Sequence, residues 1–347
     1  MGYILGLDVG GANIKACRFC PQEARSASVY HEVWRDPWGI AGVLTEIKAL
    51  LGDKPQAVAL TMTAELCDVF ASKAQGVLCV LGQVEEVFSG LPIYVWSIDG
   101  KFFSPAQTRE APLKAAASNW LAGAQMLADC MEPSQKHAIM LDIGSTTTDI
   151  LPIAPGKVLA AGRTDTGRLA SGELVYTGVQ RTAPHVIADK VYLDGVPCRV
   201  ANEQFAITAD IYHCLGLIAE DDYTVPTPDG GGRRPEDCAR RIARLVAGEP
   251  EELGAEKIRL LAQYIMESQL QQIMDGVWQV TSRQDVRAEQ LVITGEGAFL
   301  AELVAQRLNL PALYWHELVP QAKPDGAMAS FAVAWLLHNS MRKGELN

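Results

Sequence analysis

The sequence lacks a hydrophobic run that could cross a bilayer, and it is short of positive charge. No apolar stretch reaches the ~20 residues that a transmembrane helix needs, so we expect no membrane partner. The 347 residues include 30 lysines and arginines against 41 aspartates and glutamates, which gives a net charge of −11 at pH 7. Because nucleic acid binding depends on an excess of cationic side chains, we expect no nucleic acid partner either.

Several metal-site and targeting signals are also missing. The eight cysteines are scattered, and Cys17 and Cys20 form a single C-x-x-C with no second pair at zinc-site spacing. The histidines show no HExxH or other ligand spacing. The N-terminus enters a predicted strand directly, without the basic and apolar regions of a signal peptide. We therefore expect a cytoplasmic protein with reduced, partly buried thiols.

Two short segments look like copies of one device. Residues 5–15 read LGLDVGGANIK, and residues 140–149 read MLDIGSTTTD. In each, a buried strand ends in an aspartate, Asp8 or Asp142, and a turn rich in small polar residues leads into a second strand. Backbone N–H groups and hydroxyls in such turns bind phosphate oxygens. The predicted phosphate-binding residues of the turns are Gly10, Gly11, Ala12, Asn13, Gly144, Ser145, Thr146 and Thr147.

The two aspartates and a lysine complete this predicted phosphate site. Carboxylate oxygens are suitable ligands for Mg²⁺, so Asp8 and Asp142 are the candidate metal ligands. Lys15, at the start of the second strand, could add a positive charge that faces the phosphate. Two facing copies of the device predict two lobes that close on a phosphorylated ligand with Mg²⁺.

The hydrophobic pattern predicts an α/β protein of two related halves. A composition of 48% hydrophobic and 20% charged residues fits a globular chain of about two domains. The order of strands, helix, strand and helix occurs twice, which favours two related lobes over a solenoid. We expect an N-terminal lobe at 1–132 and a C-terminal lobe at 133–347, with an insertion around 163–250 and a last helix at 326–343.

Individual elements are predicted from spacing and from turn residues. A hairpin is expected around each of the two turns. Helices are expected at 40–51, 114–130 and 255–277. A third strand is expected at 29–38, and a loop is expected at 105–112.

The two turns, together with residues 292–297 (VITGEG), resemble the three signatures of the superfamily of acetate and sugar kinases, Hsp70 and actin. The resemblance implies two ribonuclease-H-like lobes with a ligand cleft between them. Gly295, Glu296 and Gly297 then resemble the adenosine signature, whose backbone faces the nucleotide in a kinase. Residues 142–149 further resemble the hydantoinase A/oxoprolinase branch, although Ser145 stands where that branch often has glycine.

Three longer segments narrow the resemblance. Residues 60–68, 172–182 and 203–212 are similar to a smaller family linked to tetrahydromethanopterin-dependent one-carbon transfer. That resemblance implies a transferase of methanofuran biosynthesis. It would join an aminomethylfuran-methyl diphosphate to the phenol of γ-glutamyltyramine as an aryl ether, and release pyrophosphate. It implies small-molecule partners and no ATP as phosphoryl donor, with the phosphate turns holding the leaving diphosphate.

Three carboxylates are the candidate catalytic residues: Asp8, Glu65 and Asp149. Glu65 follows a buried strand in a threonine-rich turn, where folds of this kind place the catalytic carboxylate. It could take the phenol proton or orient the aminomethyl cation of the substrate, and the alternative is a carboxylate that only caps the turn. Asp149 lies on the strand after the second turn, where structural hydrogen bonding is an equally good interpretation.

The candidate substrate-binding residues are Arg163, Asp165, Arg181 and Asp210. Arginine binds carboxylates through two parallel hydrogen bonds, so the arginines could bind the glutamyl carboxylates of the substrate. A solvated salt-bridge network is the alternative. Asp210 and Tyr212 are two residues apart and do not share a helix face, so one of them could face the cleft. Residues 223–234 are a candidate mobile loop or lid, and Arg240 and Arg241 are expected at an exposed helix start.

Two other functions and the oligomeric state remain open. An ATP- and Mg²⁺-dependent kinase or a hydantoinase-like hydrolase would use the same fold, and consumption of ATP separates these enzymes from the transferase. A non-catalytic, nucleotide-regulated protein is the third candidate, although no peptide-binding or polymer-forming insertion is evident. The predicted helix at 255–277 could pack internally or against a second subunit in a homodimer.

Overall fold

The structure is a computed structural model that describes residues 2–52, 54–319, 321 and 327–346. Its strands, in chain order, are β1 (Ile4–Val9), β2 (Asn13–Cys20), β3 (Glu23–Tyr30), β4 (Ala57–Met62), β5 (Ile93–Trp96), β6 (Phe102–Phe103), β7 (Ala138–Ile143), β8 (Thr148–Ala154), β9 (Lys157–Val158), β10 (Leu174–Val175), β11 (Lys190–Leu193), β12 (Val196–Arg199), β13 (Gln290–Thr294) and β14 (Ala312–Tyr314).

The α-helices are α1 (Ile40–Leu51), α2 (Lys73–Val87), α3 (Pro105–Glu110), α4 (Asn119–Cys130), α5 (Asp165–Ser171), α6 (Thr208–Cys214), α7 (Pro235–Arg244), α8 (Pro250–Thr281), α9 (Ala298–Leu308), α10 (Trp315–Leu318) and α11 (Met328–Lys343). Three short 3₁₀ turns, at 64–66, 112–114 and 184–186, complete the described elements. None of the described helices is both long and apolar enough to cross a membrane.

Two sheets repeat one topology. The first has the order β3-β2-β1-β4-β5-β6, and the second has the order β10-β8-β7-β13-β14, with β9 paired to β8. In each, the central hairpin is antiparallel and its first strand pairs in parallel with the next central strand, β1 with β4 and β7 with β13. The predicted α/β fold with two ribonuclease-H-like lobes is therefore confirmed.

Small residues bring a helix from the second half onto the first sheet. The helix α11 packs on β1, β2 and β4, and a methyl group at Gly6 would lie 1.9 Å from the carbonyl oxygen of Ser330. Ala57 and Ala59 line the same apolar cluster, whereas Val58 and Leu60 of β4 point into the core under α1 and α2. The alternation of small and large residues along β4 therefore fixes which face α11 can approach.

The helix α4 crosses in the opposite direction and packs on β8 and β9. It also contacts α11, so the two helices form a shared layer between the sheets. The lobe boundary at residue 132 stays a prediction. The helix α4 precedes that residue and packs on the second sheet, whereas α11 follows it and packs on the first sheet. The residue at which the last helix was expected to start, Gly326, lies outside the described residues.

Some local predictions were wrong. The third strand is β3, which ends at Tyr30 and so overlaps the strand expected at 29–38 by only two residues. The expected loop at 105–112 contains α3, whose N-terminus has a capping box between Ser104 and Gln107. The proline at the first helical position, Pro105, suits a helix start as well as a loop, which is why the loop was preferred.

Candidate functional site

The turn between β1 and β2 presents free backbone amides. The Gly10 N–H donates to the Asn13 carbonyl at 3.0 Å, which closes the turn. The carbonyls of Gly11 and Ala12 accept hydrogen bonds from Val33 and His31, at 3.0 and 3.1 Å. Within the described residues, the N–H groups of Gly11 and Ala12 have no partner. The carbonyls are thus tied back to the protein and the donors are left for a ligand.

The turn between β7 and β8 has the same design. The Gly144 N–H donates to the Thr147 carbonyl at 2.9 Å, and the Ser145 carbonyl accepts from the N–H groups of Gln180 and Arg181, both at 3.0 Å. The amides of Ser145 and Thr146 have no partner among the residues described. Residues 177–182 support this turn from behind, and a methyl group at Gly178 would lie 2.5 Å from the Thr146 nitrogen.

The two hairpins place charged residues opposite each other at the turns. Lys15 pairs in register with Asp8 across β1 and β2, and Asp149 pairs with Asp142 across β7 and β8. Lys15 makes no salt bridge or hydrogen bond through its side chain with any described residue, so its ammonium group is available to an anion. Asp149 accepts a hydrogen bond from the guanidinium of Arg168, which is 2% exposed.

The carboxylates of the two hairpins interact with one another across the lobes. Burial raises the pKa of Asp8 to about 6, and Lys15 opposes that rise. Burial also raises the pKa of Asp142 to about 7, with added repulsion from Asp149, Glu296 and Asp8 and an opposing attraction from Lys15. Asp8, Lys15, Asp142 and Asp149 therefore lie close enough to influence the charge of one another, and their roles in binding and catalysis stay predictions.

The turn at 295–297 lies against the second aspartate. Gly295 has φ +88°, and a methyl group there would lie 2.4 Å from Asp142 Oδ1, so this position requires glycine. The Gly297 N–H donates to the Ile143 carbonyl at 2.8 Å. The Glu296 carboxylate accepts from the Gln180 amide at 2.7 Å. Glu296 is thus held by the segment that supports the second phosphate turn.

The carboxylates suit a divalent cation. Asp8 Oδ1 is buried and has no hydrogen-bond partner among the described residues. The clustered negative charge around Asp142 would be relieved by a cation, since carboxylate oxygens are preferred ligands of Mg²⁺. No described group of three or more acidic, histidine or cysteine side chains could by itself hold a metal. A metal held by Asp8 and Asp142 would need water or phosphate oxygens as further ligands.

Glu65 is buried beside this site with one free oxygen. It lies in the 3₁₀ turn after β4, is 1% exposed, and accepts a hydrogen bond from the Ala117 N–H at 2.7 Å through Oε1. Its other oxygen, Oε2, is buried and has no partner in the described part of the chain. Burial raises the pKa of Glu65 to about 8, and backbone hydrogen bonds oppose that rise. Ala117 has φ +46°, which is uncommon for a residue with a side chain.

The sequence matches the hydantoinase/oxoprolinase family over residues 56–332, which is most of the chain. The chain belongs to this family.

Two relatives carry one name. The chain is 34% identical over 342 residues to the (4-{4-[2-(gamma-L-glutamylamino)ethyl]phenoxymethyl}furan-2-yl)methanamine synthase of Methanocaldococcus jannaschii, covering 98% of this chain and 99% of that protein. It is 34% identical over 162 residues to the synthase of the same name from Methanococcus vannielii, covering 47% of this chain and 72% of that protein.

A solved structure supports the fold. Nucleotide-free acetone carboxylase superimposes with a TM-score of 0.58 and 10% identity, covering 96% of this chain and 70% of that chain. At that identity the likeness concerns the fold alone.

The predicted substrate-binding residues of this family member lie in different places. Arg181 is exposed and lies over the Trp34 ring at 5.3 Å, so it reaches from the second phosphate turn to the first lobe. Asp165 begins α5 and pairs with Lys73 at 3.4 Å. Arg163 is exposed, and no described residue forms an ion pair with it. The substrate-binding role of these three residues stays a prediction.

Asp210 has a different environment from the one expected. It is fully buried, and its oxygens accept hydrogen bonds from the Tyr223 hydroxyl, the Ile207 N–H and the Arg241 guanidinium. Tyr212 is fully buried as well, so neither residue faces the cleft. The expectation for Arg241 was wrong, because its side chain is 1% exposed and also binds Asp229 at 3.1 Å. Asp210 and Arg241 therefore hold the insertion together.

Sequence reasoning missed several supports of the site. Gln180 joins Glu296 to Thr224, whose N–H donates to the side-chain oxygen Oε1 of Gln180 at 3.0 Å. The guanidinium of Arg168 lies 4.3 Å from the Trp120 ring centre and links α5 to α4. The polar stretch at 163–168 was noticed, but no local pattern indicates which distant ring or carboxylate it meets.

Proposed function

We propose that the protein is a transferase of methanofuran-type cofactor biosynthesis. It condenses an aminomethylfuran-methyl diphosphate with the phenol of γ-glutamyltyramine and releases pyrophosphate. The name of the relatives describes the product of this condensation, and one of them aligns over nearly the whole chain. We place the protein in tetrahydromethanopterin-linked one-carbon metabolism and in the cytoplasm.

One observation carries the proposal beyond the name. Two phosphate turns with unpartnered amides and one unpaired lysine accompany a buried carboxylate that has a free oxygen. A diphosphate needs the amides and the lysine, and a phenol that must lose its proton needs the carboxylate. A kinase would need the same turns and a base as well, so the name of the relatives is what favours the transferase.

The reaction balances with the groups at hand. The phenol oxygen forms a bond to the furan-methyl carbon, and the bond from that carbon to the diphosphate oxygen breaks. The proton of the phenol passes to Glu65 Oε2, and the electron pair of the broken bond leaves on the diphosphate. Amides of the two turns and the Lys15 ammonium bind the developing charge on the leaving group.

A divalent cation fits this scheme. Asp8 and Asp142 would hold it, and the cation would supply charge stabilisation to the leaving diphosphate. The pKa of Glu65 lies nearer to that of a phenol, about 10, than that of an ordinary glutamate does. This reduces the free-energy gap for the proton transfer while the ether bond forms.

The direct experiment omits ATP. Purified protein is incubated with Mg²⁺, the furan diphosphate and γ-glutamyltyramine, and pyrophosphate and ether are measured by mass spectrometry. Equal amounts of both products, absent when either substrate is left out, are the expected result. Turnover that requires ATP would move the protein to the kinase or hydrolase alternative and leave the fold standing.

A further inference from the structure

One ion pair among the described residues joins the part of the chain before residue 132 to the part after it. Lys73 Nζ, at the start of α2, lies 3.4 Å from Asp165 Oδ2, at the start of α5. The Lys73 side chain is 47% exposed and that of Asp165 is 22% exposed. An exposed pair of this kind adds little to stability, so its position deserves a functional explanation.

The pair lies next to Glu65. The helix α2 packs directly on the 3₁₀ turn of that residue, since a methyl group at Gly76 would lie 2.6 Å from the Glu65 Cα. Lys73 is three residues before Gly76 and therefore shares its helix face. Asp165 comes from α5, which is anchored to the first lobe by Arg168 over Trp120.

The charged groups that face Glu65 act in opposite directions. Asp165 adds to the rise of the Glu65 pKa that burial causes, and Lys73 opposes it. Cys67 is the other titratable neighbour, and the pKa of its thiol is raised first by burial and then by Glu65. A thiol of raised pKa is neutral at pH 7, so Cys67 adds no charge beside Glu65.

We propose that Lys73 and Asp165 are positioning residues for Glu65, with the ion pair between the lobes fixing two opposite charges on the face of α2 that packs against the turn of Glu65. Lys73 favours the ionised carboxylate, and Asp165 limits that effect. The assembled base therefore exists where α5 of the second lobe meets α2 of the first. This inference rests on the proposed function for the identity of the proton donor, but the electrostatic arrangement does not.

The roles of Lys73 and Asp165 can be told apart by the sign of their effect on the pKa of Glu65. Loss of a merely structural contact would be the same whichever partner is removed. An electrostatic role predicts that Lys73→Met raises the pKa of Glu65 and that Asp165→Asn lowers it. The double variant should return close to the wild-type value, and Lys73→Arg should keep it.

The experiment is an infrared titration of the Glu65 carboxyl group in the full-length protein, with Glu65→Gln subtracted as the blank. Opposite shifts in Lys73→Met and Asp165→Asn, shrinking at high salt, are expected. The matched control is Arg109→Met, which breaks an ion pair of similar exposure between Arg109 and Glu85 of the same helix α2. That control should leave the titration unchanged.

Shifts of the same sign, or no shift in either variant, would overturn the proposal. The midpoint of the acid limb of kcat/KM gives the second measurement and should move as the infrared midpoint does. If the ATP-free assay yields no ether but the opposite infrared shifts are found, the proposed function fails and the pairing with Glu65 stands. If ether forms and the infrared shifts are absent, the proposed function stands and the pairing with Glu65 fails.

Discussion

The two phosphate turns share a backbone and differ in charge. Each is closed by one hydrogen bond from a glycine N–H, and each follows a strand whose second-to-last residue is an aspartate. Opposite that aspartate the first lobe places Lys15, which has no described partner, and the second places Asp149, which is bound to Arg168. A duplicated fold thus provides one turn with a cation for phosphate and one with a second carboxylate near the candidate metal.

The neighbouring strands extend the comparison. Thr61 of β4 lies beside Asp8, and Thr294 of β13 lies beside Asp142. After β4 the chain turns into Glu65, whereas after β13 it turns at Gly295. The first lobe therefore supplies the candidate base, and the second leaves room at the same place for the Asp142 carboxylate.

The largest difference between the lobes is tested by Glu65→Gln. We expect kcat to fall about 10²- to 10⁴-fold, the range for loss of a general base. The acid limb of the pH profile near pH 8 should disappear with it. The thermal midpoint should not fall, because a glutamine oxygen can still accept the Ala117 N–H. The control is Asp68→Asn, an exposed carboxylate three residues later, and equal losses in both variants would contradict the assignment.

The charge difference is tested by Lys15→Met against Asp149→Asn. Lys15→Met removes a charge-assisted contact and should weaken pyrophosphate binding about tenfold or more. Asp149→Asn should leave that affinity closer to wild type and instead shift the Mg²⁺ concentration needed for activity. Isothermal titration with pyrophosphate at fixed Mg²⁺ measures the first effect. Unchanged affinity in Lys15→Met would show that the two turns do not differ as described.

The backbone difference is tested at the first glycine of each turn. A methyl group at Gly10 would lie 2.8 Å from the Asn13 carbonyl oxygen, whereas one at Gly144 would lie 3.5 Å from that of Thr147. Because a backbone carbonyl cannot move aside cheaply, Gly10→Ala should destabilise the protein by about 1–3 kcal/mol. Gly144→Ala should be tolerated. Denaturant unfolding of both variants decides, and equal destabilisation would remove the distinction.

The smallest expected effect concerns stability and pH. The pKa of Asp8 and that of Asp142 are raised from 3.8 to about 6 and about 7, so folding disfavours their ionised forms. The stability that these groups contribute is complete below about pH 4 and is lost as the pH rises through 6 and 7 respectively. At pH 8 without metal, Asp142→Asn should therefore stabilise the protein by on the order of 1 kcal/mol, and Asp8→Asn by less.

Thermal unfolding at pH 8 and at pH 4 measures this effect. The gain should vanish at pH 4, and both variants should lose activity at pH 8. Mg²⁺ should raise the thermal midpoint of the wild type more than that of either variant. Destabilisation by Asp142→Asn at pH 8 would mean that the carboxylate is a structural group and not one held for a ligand.

Local sequence patterns correctly predicted the elements that depend on residues close together in the sequence. Helix α1 has the bounds expected from its spacing, and both hairpins form around the predicted turns. The failures come from long-range packing. Arg241 was expected at an exposed helix start because charge usually faces water, but the distant and fully buried Asp210 and the exposed Asp229 form ion pairs with it.

The sequence by itself determined the two strand–turn–strand devices, their aspartates and the glycine turn at 295–297, because each depends on residues a few positions apart. The tertiary structure alone decided that Lys15 has no partner among the described residues, that Arg168 binds Asp149, and that Lys73 meets Asp165. The members of those two pairs lie 19 and 92 positions apart along the chain. Only the tertiary position of α5, which carries both Asp165 and Arg168, brings them within hydrogen-bond reach.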